Sequence, residues 1–193
     1  MSTPIEKFSA IVKENFSRED FVYHEWMNEY HLNIVHRIAM ELCDKYPQAD
    51  RNVVEALVWF HDFGKPLDEK NEKTVTLEKG TACMRECGFD DAFIARVLEY
   101  WKLMEQKNDI DIATTPIEVQ IISSADGASH FTGVFYPSYF GDGLSFNQTQ
   151  EELRIKIDKD WNRKIVLPEA RAAFKKYYER ALEMLGVFPN KFI

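Results

Sequence analysis

Histidine and aspartate at otherwise apolar helix positions are the residues of this chain best placed to do chemistry. Only five histidines occur among the 193 residues. His31 starts a stripe that continues with Val35, Ile38 and Leu42, which is the spacing of one helix face turned toward a core. His36 is rotated about 140° from His31 around the same helix, so it faces elsewhere. His31 is therefore the histidine that this helix directs inward.

Two further segments repeat this pattern. His61 and Asp62 end the most apolar predicted helix, where Gly64 loosens the terminus, and Asp126 shares a face with apolar residues four and seven positions earlier. Buried carboxylates are costly, and two of them repel each other. A divalent cation removes this cost, because it pairs with carboxylates and accepts lone pairs from neutral imidazoles. A single such histidine is more often a hydrogen-bonded core residue, but the four together favour a metal site.

Helical periodicity dominates the elements that must position these residues. The sequence predicts helices around 31–42, 53–60, 74–87 and 90–101, one starting near 117, and two more within 149–186. Thr115, Pro116 and Glu118 are typical of a capping box at the start of the helix that carries Asp126. No repeat or domain boundary is evident. We therefore predict a single all-α domain over residues 1–193.

Charge and cysteine content limit the function classes. Lys plus Arg number 24 and Asp plus Glu number 32, giving a net charge of −8. This argues against duplex nucleic acid and an anionic membrane surface as partners. The three cysteines, Cys43, Cys83 and Cys87, lack the spacing of a disulfide framework. No signal peptide or apolar run long enough to span a membrane is found, so the expected location is cytoplasmic.

The segment 131–148 breaks the helical pattern. Glycines and Pro137 interrupt a series of aromatic residues there: Phe131, Phe135, Tyr136, Tyr139 and Phe140. Such an aromatic stretch is unlike a solvated linker. We predict that it covers the metal cleft and helps to select the substrate.

The chain resembles the HD-domain superfamily of metal-dependent phosphohydrolases. The resemblance rests on His31 in HLNIVHRIAMEL, the doublet in ALVWFHDFGK and Asp126 in IISSADGASHF. It covers about residues 27–130, with the helices of 149–186 expected to pack on this core. The resemblance implies an all-α HD-domain helical bundle with His31, His61, Asp62 and Asp126 as metal ligands. It also implies hydrolysis of phosphoester or phosphoanhydride bonds, often in nucleotides.

Catalytic roles follow less directly. In relatives with a His-Asp-x-Gly-Lys run, the lysine binds phosphate, and Lys65 resembles it; the alternative is a solvated lysine favoured by the helix C-terminus. His130 lies one turn after Asp126 and is a candidate for substrate contact, proton donation or a pocket wall. Some relatives place a glutamate close behind the doublet, but here Lys65 stands three residues after Asp62. The general base is therefore left between Asp62 and metal-bound hydroxide.

The number of metals separates the functional alternatives. Two-metal relatives, including oxygenases, resemble one another in two extra histidines, but residues 63–129 contain none. Glu72, Glu78 or Glu99 could replace them, although we expect all three on solvated faces. We therefore predict one divalent ion, namely Mn, Fe, Co, Ni or Zn, with Mg less suited to nitrogen ligands. The predicted function is hydrolysis of a small phosphorylated metabolite, with nucleotides among the candidates. The alternatives are a dinuclear oxygenase or lyase and a metal-stabilised ligand-binding or regulatory domain without turnover; a homo-oligomer is left open.

Overall fold

The structure is a computed structural model that describes residues 2–141 and 143–191, whose regular secondary structure is entirely helical, with no strand. The all-α prediction is therefore confirmed. The α-helices are α1 (Pro4–Phe16), α2 (Asn33–Lys45), α3 (Arg51–Phe60), α4 (Glu72–Val75), α5 (Thr81–Cys87), α6 (Asp91–Glu105), α7 (Ile117–Ser129), α8 (Phe135–Ser138), α9 (Phe146–Lys159) and α10 (Pro168–Met184). Shorter 3-10 turns are Glu69–Asn71, Ile112–Thr114 and Tyr139–Gly141, and π-helical turns are Asn28–Leu32, Thr76–Gly80 and Asp160–Lys164. Asp142, within the aromatic segment, lies outside the described residues.

Helix α7 is the centre of the bundle. It packs against α2, α3 and α6 on one side and against the turn Asp160–Lys164 on the other. Nearly all of its residues are buried, and many are small. Position 127 requires a glycine, because a Cβ there would lie 2.8 Å from the Cβ of Lys164. This glycine lets the C-terminal turn approach the helix that carries Asp126.

The starts of α3 and α7 differ in whether a side chain caps the first backbone N–H groups of the helix. The Asp50 carboxylate accepts hydrogen bonds from the backbone N–H groups of Asn52 and Val53 and caps α3. The capping box predicted for α7 is wrong. The Thr115 hydroxyl donates to the carbonyl of Ile112, and the Glu118 carboxylate accepts from the backbone N–H of Asp50. Glu118 thus binds the neighbouring helix start instead of its own.

Two departures from regular α-helix lie where the predicted ligands are. The π-helical turn Asn28–Leu32 contains His31 and leads directly into α2, and α3 ends at Phe60 immediately before His61 and Asp62. A π-helical turn widens the helix by one residue and is frequent at functional sites. Among the described residues, no helix has both the length and the apolar character needed to cross a membrane.

Candidate metal centre

The four predicted metal ligands meet in one buried cluster. His31 Nε2 lies 3.5 Å from Asp62 Oδ2 and 3.9 Å from Asp126 Oδ1, and His61 Nε2 lies 3.6 Å from Asp62 Oδ2. A metal ion with bonds of about 2.0–2.2 Å spaces neighbouring donor atoms by about 3–3.5 Å. The observed separations of 3.5–3.9 Å are slightly longer. The donor atoms of His31, His61 and Asp62 all lie within 4.8 Å of one another, whereas Asp126 reaches this group only through His31.

Hydrogen bonds on the far side of the two imidazoles determine which nitrogen faces the cluster. His61 Nδ1 lies 2.8 Å from the carbonyl of Val58, to which it donates, and His61 Nε2 is buried without a hydrogen-bond partner. Ser129 Oγ donates to the carbonyl of Asp126 at 2.7 Å, so it accepts from His31 Nδ1 at 3.0 Å. Both Nε2 atoms therefore carry lone pairs toward the carboxylates. Burial lowers the pKa of His31, which keeps its imidazole neutral.

His130 is part of the same cluster. Its ring stacks on that of His31 with centroids 5.1 Å apart, and its Nε2 lies 3.3 Å from Asp126 Oδ1. On the other side, Nδ1 lies 2.9 Å from Asp160 Oδ2. Burial lowers the pKa of His130 to about 3. The structure thus forms two three-residue donor groups that share His31, one with His61 and Asp62 and the other with Asp126 and His130.

Each carboxylate of the cluster is also paired with a lysine. Lys65 Nζ lies 3.2 Å from Asp62 Oδ2, and Lys164 Nζ lies 2.6 Å from Asp126 Oδ2. Burial alone would raise the pKa of Asp62, but Lys65 and the nearby imidazoles lower it well below its usual range. Asp126 is likewise held ionised by Lys164 against the effect of burial. Lys65 lies in the cleft, with 23% of its side chain exposed, not on the solvated surface.

Three residues of the C-terminal helices complete the site and were missed in the sequence. Lys156, Asp160 and Lys164 lie four residues apart and form one charged wall, which we call the lysine wall. Asp160 Oδ2 accepts from Lys156 Nζ at 2.5 Å and from the Tyr136 hydroxyl at 3.0 Å. Asp160 and Lys164 continue the buried stripe of Leu153 and Ile157. That periodicity was the available signal, and it is the same one that identified His31 and Asp126.

Two more residues, Glu72 and Trp101, contribute to the site. Glu72 was expected on a solvated face, but it lines the cleft, where burial and the Asp62 carboxylate raise its pKa to about 8. Trp101 is buried, and its indole N–H donates to the carbonyl of His61 at 3.1 Å. Trp101 therefore fixes the backbone of His61.

Two residues of the aromatic segment, Phe135 and Tyr136, lie against the cluster. The Phe135 ring stacks on the His130 ring with centroids 3.7 Å apart and lies 5.8 Å from that of His31. Tyr136 reaches Asp160 from the next position. Phe135 lines the cleft, whereas Phe140 and residues 143–148 are exposed. The covering of the cleft by the whole segment and its effect on substrate choice stay predictions.

The cleft beside the cluster has a volume of about 280 Å³. Its lining includes six lysines, Lys65, Lys73, Lys107, Lys156, Lys159 and Lys164, and four carboxylates, Asp62, Glu72, Glu105 and Asp126. Lysines thus outnumber carboxylates in the cleft, whereas the whole chain has a net charge of −8. No family profile, curated protein or solved structure matches the chain. What the cleft can do therefore follows from its own donor atoms and charges.

Proposed function

We propose that this protein is a metal-dependent phosphohydrolase of the HD-domain type that acts on a small phosphorylated metabolite. The observation that carries the proposal is the combination of two unprotonated imidazole nitrogens and two carboxylates with a lysine-lined cleft directly beside them. The donor set suits a divalent metal, and the lysines suit a phosphate. A buried core or a salt-bridge network that binds no ligand would not need both this donor set and a lysine-lined cleft.

His31, His61, Asp62 and Asp126 would hold one divalent ion. Mixed nitrogen and oxygen donors suit Mn, Fe, Co, Ni or Zn more than Mg. When bound, such an ion acidifies a water molecule and polarises a phosphoryl oxygen. The buried and unpartnered Nε2 of His61 supports this fit, because an orphaned polar atom at such a site otherwise costs stability.

The protein's own groups would bind and orient the phosphate. Lys65 pairs with Asp62, and Lys164 pairs with Asp126, so the two lysines flank the cluster. Their ammonium groups can therefore also neutralise phosphoryl oxygens. Asp62 has an ionised carboxylate beside the reacting position and is our candidate to accept a proton from the attacking water. Trp101 and Phe135 add apolar surface to the lining of the cleft. His130 would contact the substrate or the leaving group.

A dinuclear oxygenase is the second candidate, because the group of His31, Asp126 and His130 could hold another ion. This group shares His31 with the first one, and one imidazole nitrogen cannot complete two separate sites. We therefore favour one ion and hydrolysis.

Metal analysis coupled to phosphate release tests both candidates. Protein purified without chelator should contain one ion per chain and should release phosphate from members of a panel of nucleotides and sugar phosphates. His36→Ala is a matched control, because His36 pairs with Glu55 outside the cleft. Two fully occupied metal positions without phosphate release would reject the mononuclear hydrolase in favour of the oxygenase.

We also propose a cytoplasmic location. Cys43, Cys83 and Cys87 are free thiols and are buried. Burial raises the pKa of Cys43 to about 11 and that of Cys83 to about 12, which makes both thiols unreactive. Such cysteines are typical of a reducing compartment.

A further inference from the structure

Lys159 differs from the other lysines of the metal cleft in its pairing. Each of the other five has a carboxylate oxygen at 2.5–3.6 Å, namely Lys65 with Asp62, Lys73 and Lys107 with Glu105, Lys156 with Asp160, and Lys164 with Asp126. Within the part of the chain that the structure describes, the Lys159 ammonium group has neither an ion-pair partner nor a hydrogen-bond acceptor. The cleft therefore holds one positive charge that no carboxylate of these residues neutralises.

The surroundings of Lys159 make this lack of a partner costly. Lys159 is the last residue of α9, and its side chain is only partly exposed. Burial and the positive charges of Lys107 and Lys164 lower its pKa. An ammonium group that is partly removed from water, beside like charges and without an anion, is unfavourable. A bound anion would remove this cost.

Lys159 also lines a second cavity, which adjoins the metal cleft and has a volume of about 550 Å³. Asn108 is the other residue that lines both cavities. The remaining lining of the second cavity consists of Arg154, Ile155, Asp158 and Arg163. Asp158 accepts a hydrogen bond from the side chain of Asn162 at 2.8 Å, and Arg163 donates to the carbonyl of Asn108 at 3.3 Å. The junction of the two cavities is thus positively charged, with an ammonium group and an amide side by side.

We propose that Lys159, with Asn108 beside it, binds a carboxylate of the substrate at the junction of the two cavities. The substrate is then a phosphate monoester of a small hydroxy acid, with its phosphate near Lys65 and Lys164 and its carboxylate at Lys159. One unpaired ammonium group matches the single charge of a carboxylate better than the charge of about −1.5 to −2 of a second phosphate. The proposal rests on the phosphohydrolase function and specifies its substrate class.

Matched pairs of phosphate esters that differ in one terminal group test this assignment. The acid 6-phosphogluconate and the alcohol glucitol 6-phosphate share one carbon chain, and 3-phosphoglycerate and glycerol 3-phosphate form a shorter pair. A charge-assisted hydrogen bond to Lys159 predicts that kcat/KM is about tenfold to a hundredfold higher for the acid in the pair whose length spans both sites. Lys159→Met should bring this ratio close to one, and Lys159→Glu should invert it. Lys176→Met, which changes an exposed lysine on α10, should leave the ratio as it is.

Equilibrium binding of the same compounds, measured by calorimetry, separates the failure of this proposal from the failure of hydrolysis. Tighter binding of the acid that is lost in Lys159→Met supports the carboxylate site even where no phosphate is released. No difference within either pair, in binding or in turnover, would overturn the site while leaving hydrolysis intact. A preference for the acid that persists in Lys159→Met would overturn it as well. A stronger preference for glucitol 1,6-bisphosphate than for 6-phosphogluconate, lost in Lys159→Met, would replace the carboxylate by a second phosphate.

Discussion

The two walls of the cleft are charged in opposite ways and differ in how their charges are paired. The ligand wall, formed by His31, His61, Asp62 and Asp126, directs imidazole lone pairs toward carboxylates, and one nitrogen, His61 Nε2, has no partner. The lysine wall is compensated internally, because Asp160 pairs with Lys156 and Lys164 within the wall. The first wall thus has an unpartnered imidazole nitrogen that an added cation could use, although its two carboxylates are paired with Lys65 and Lys164. The second wall is paired within itself, although Asp160 Oδ1 also lacks a hydrogen bond, so we expect it to act by positioning charges around that cation.

Two side chains join the walls. Lys164 pairs with Asp160 at 3.4 Å and with Asp126 across the cleft at 2.6 Å, and His130 lies between Asp126 and Asp160 at 3.3 and 2.9 Å. The position of a ligand carboxylate therefore depends on the C-terminal turn, which in turn depends on the glycine at position 127. If the two walls have the roles described, substitutions in the first should remove the metal, whereas substitutions in the second should change stability and substrate handling.

The largest effect is expected from the ligand wall. His61→Ala or Asp62→Ala should remove most of the bound metal together with the phosphohydrolase activity, since each change deletes a donor from a four-residue set. Elemental analysis after dialysis and a phosphate-release assay measure both losses. His36→Ala should retain both properties. Stoichiometric metal in the two ligand variants would refute the assignment.

On the lysine wall, Lys164→Met should destabilise the protein without deleting a donor. The Asp126 carboxylate would lose its buried ammonium partner, and such a loss costs about 3–5 kcal/mol. Urea unfolding measures the difference, and added metal should reduce it, because a cation would satisfy Asp126 instead. Lys175→Met, an exposed position on α10, serves as the control. An equal effect of the two substitutions would contradict the proposed role of Lys164.

Residue type explains why one wall was predictable and the other was not. Histidine and aspartate on an apolar face are unusual enough to suggest a ligand, and the His61-Asp62 doublet adds a motif. Lysine and aspartate four residues apart on a helix resemble an ordinary solvated face, and only the continuation of the Leu153 and Ile157 stripe shows that they are buried. Glu72 carries no such signal. Its place in the cleft depends on the turn after α3, whose path no local pattern specifies.

A smaller effect is expected at Lys65, which lies between the walls and contacts Asp62. Lys65→Ala should leave metal binding intact and weaken phosphate-containing substrates by about tenfold to a hundredfold, since a charge-assisted hydrogen bond contributes roughly 1.5–3 kcal/mol. Steady-state kinetics and metal analysis of the same preparation check both statements. Unchanged kcat and KM would show that Lys65 pairs with Asp62 without touching the substrate.

The smallest expected effect appears only in acid and concerns the centre of the lysine wall. Asp160 is fully buried, and although burial alone would raise its pKa, His130, Lys164 and Lys156 lower it below the ordinary 3.8. A carboxylate with a lowered pKa in the folded protein stabilises it above the ordinary pKa and loses this contribution as the pH falls. The difference in unfolding free energy between the unchanged protein and Asp160→Asn should therefore be constant from about pH 5 to 7. Below about pH 4 it should shrink by up to about 1.4 kcal/mol per pH unit. Asp158→Asn, an exposed position at the end of α9 two residues earlier, should show no such trend. A difference for Asp160→Asn that stays constant down to about pH 2.5 would mean that the buried lysines do not hold Asp160 ionised, and the internal compensation of the lysine wall would then be wrong.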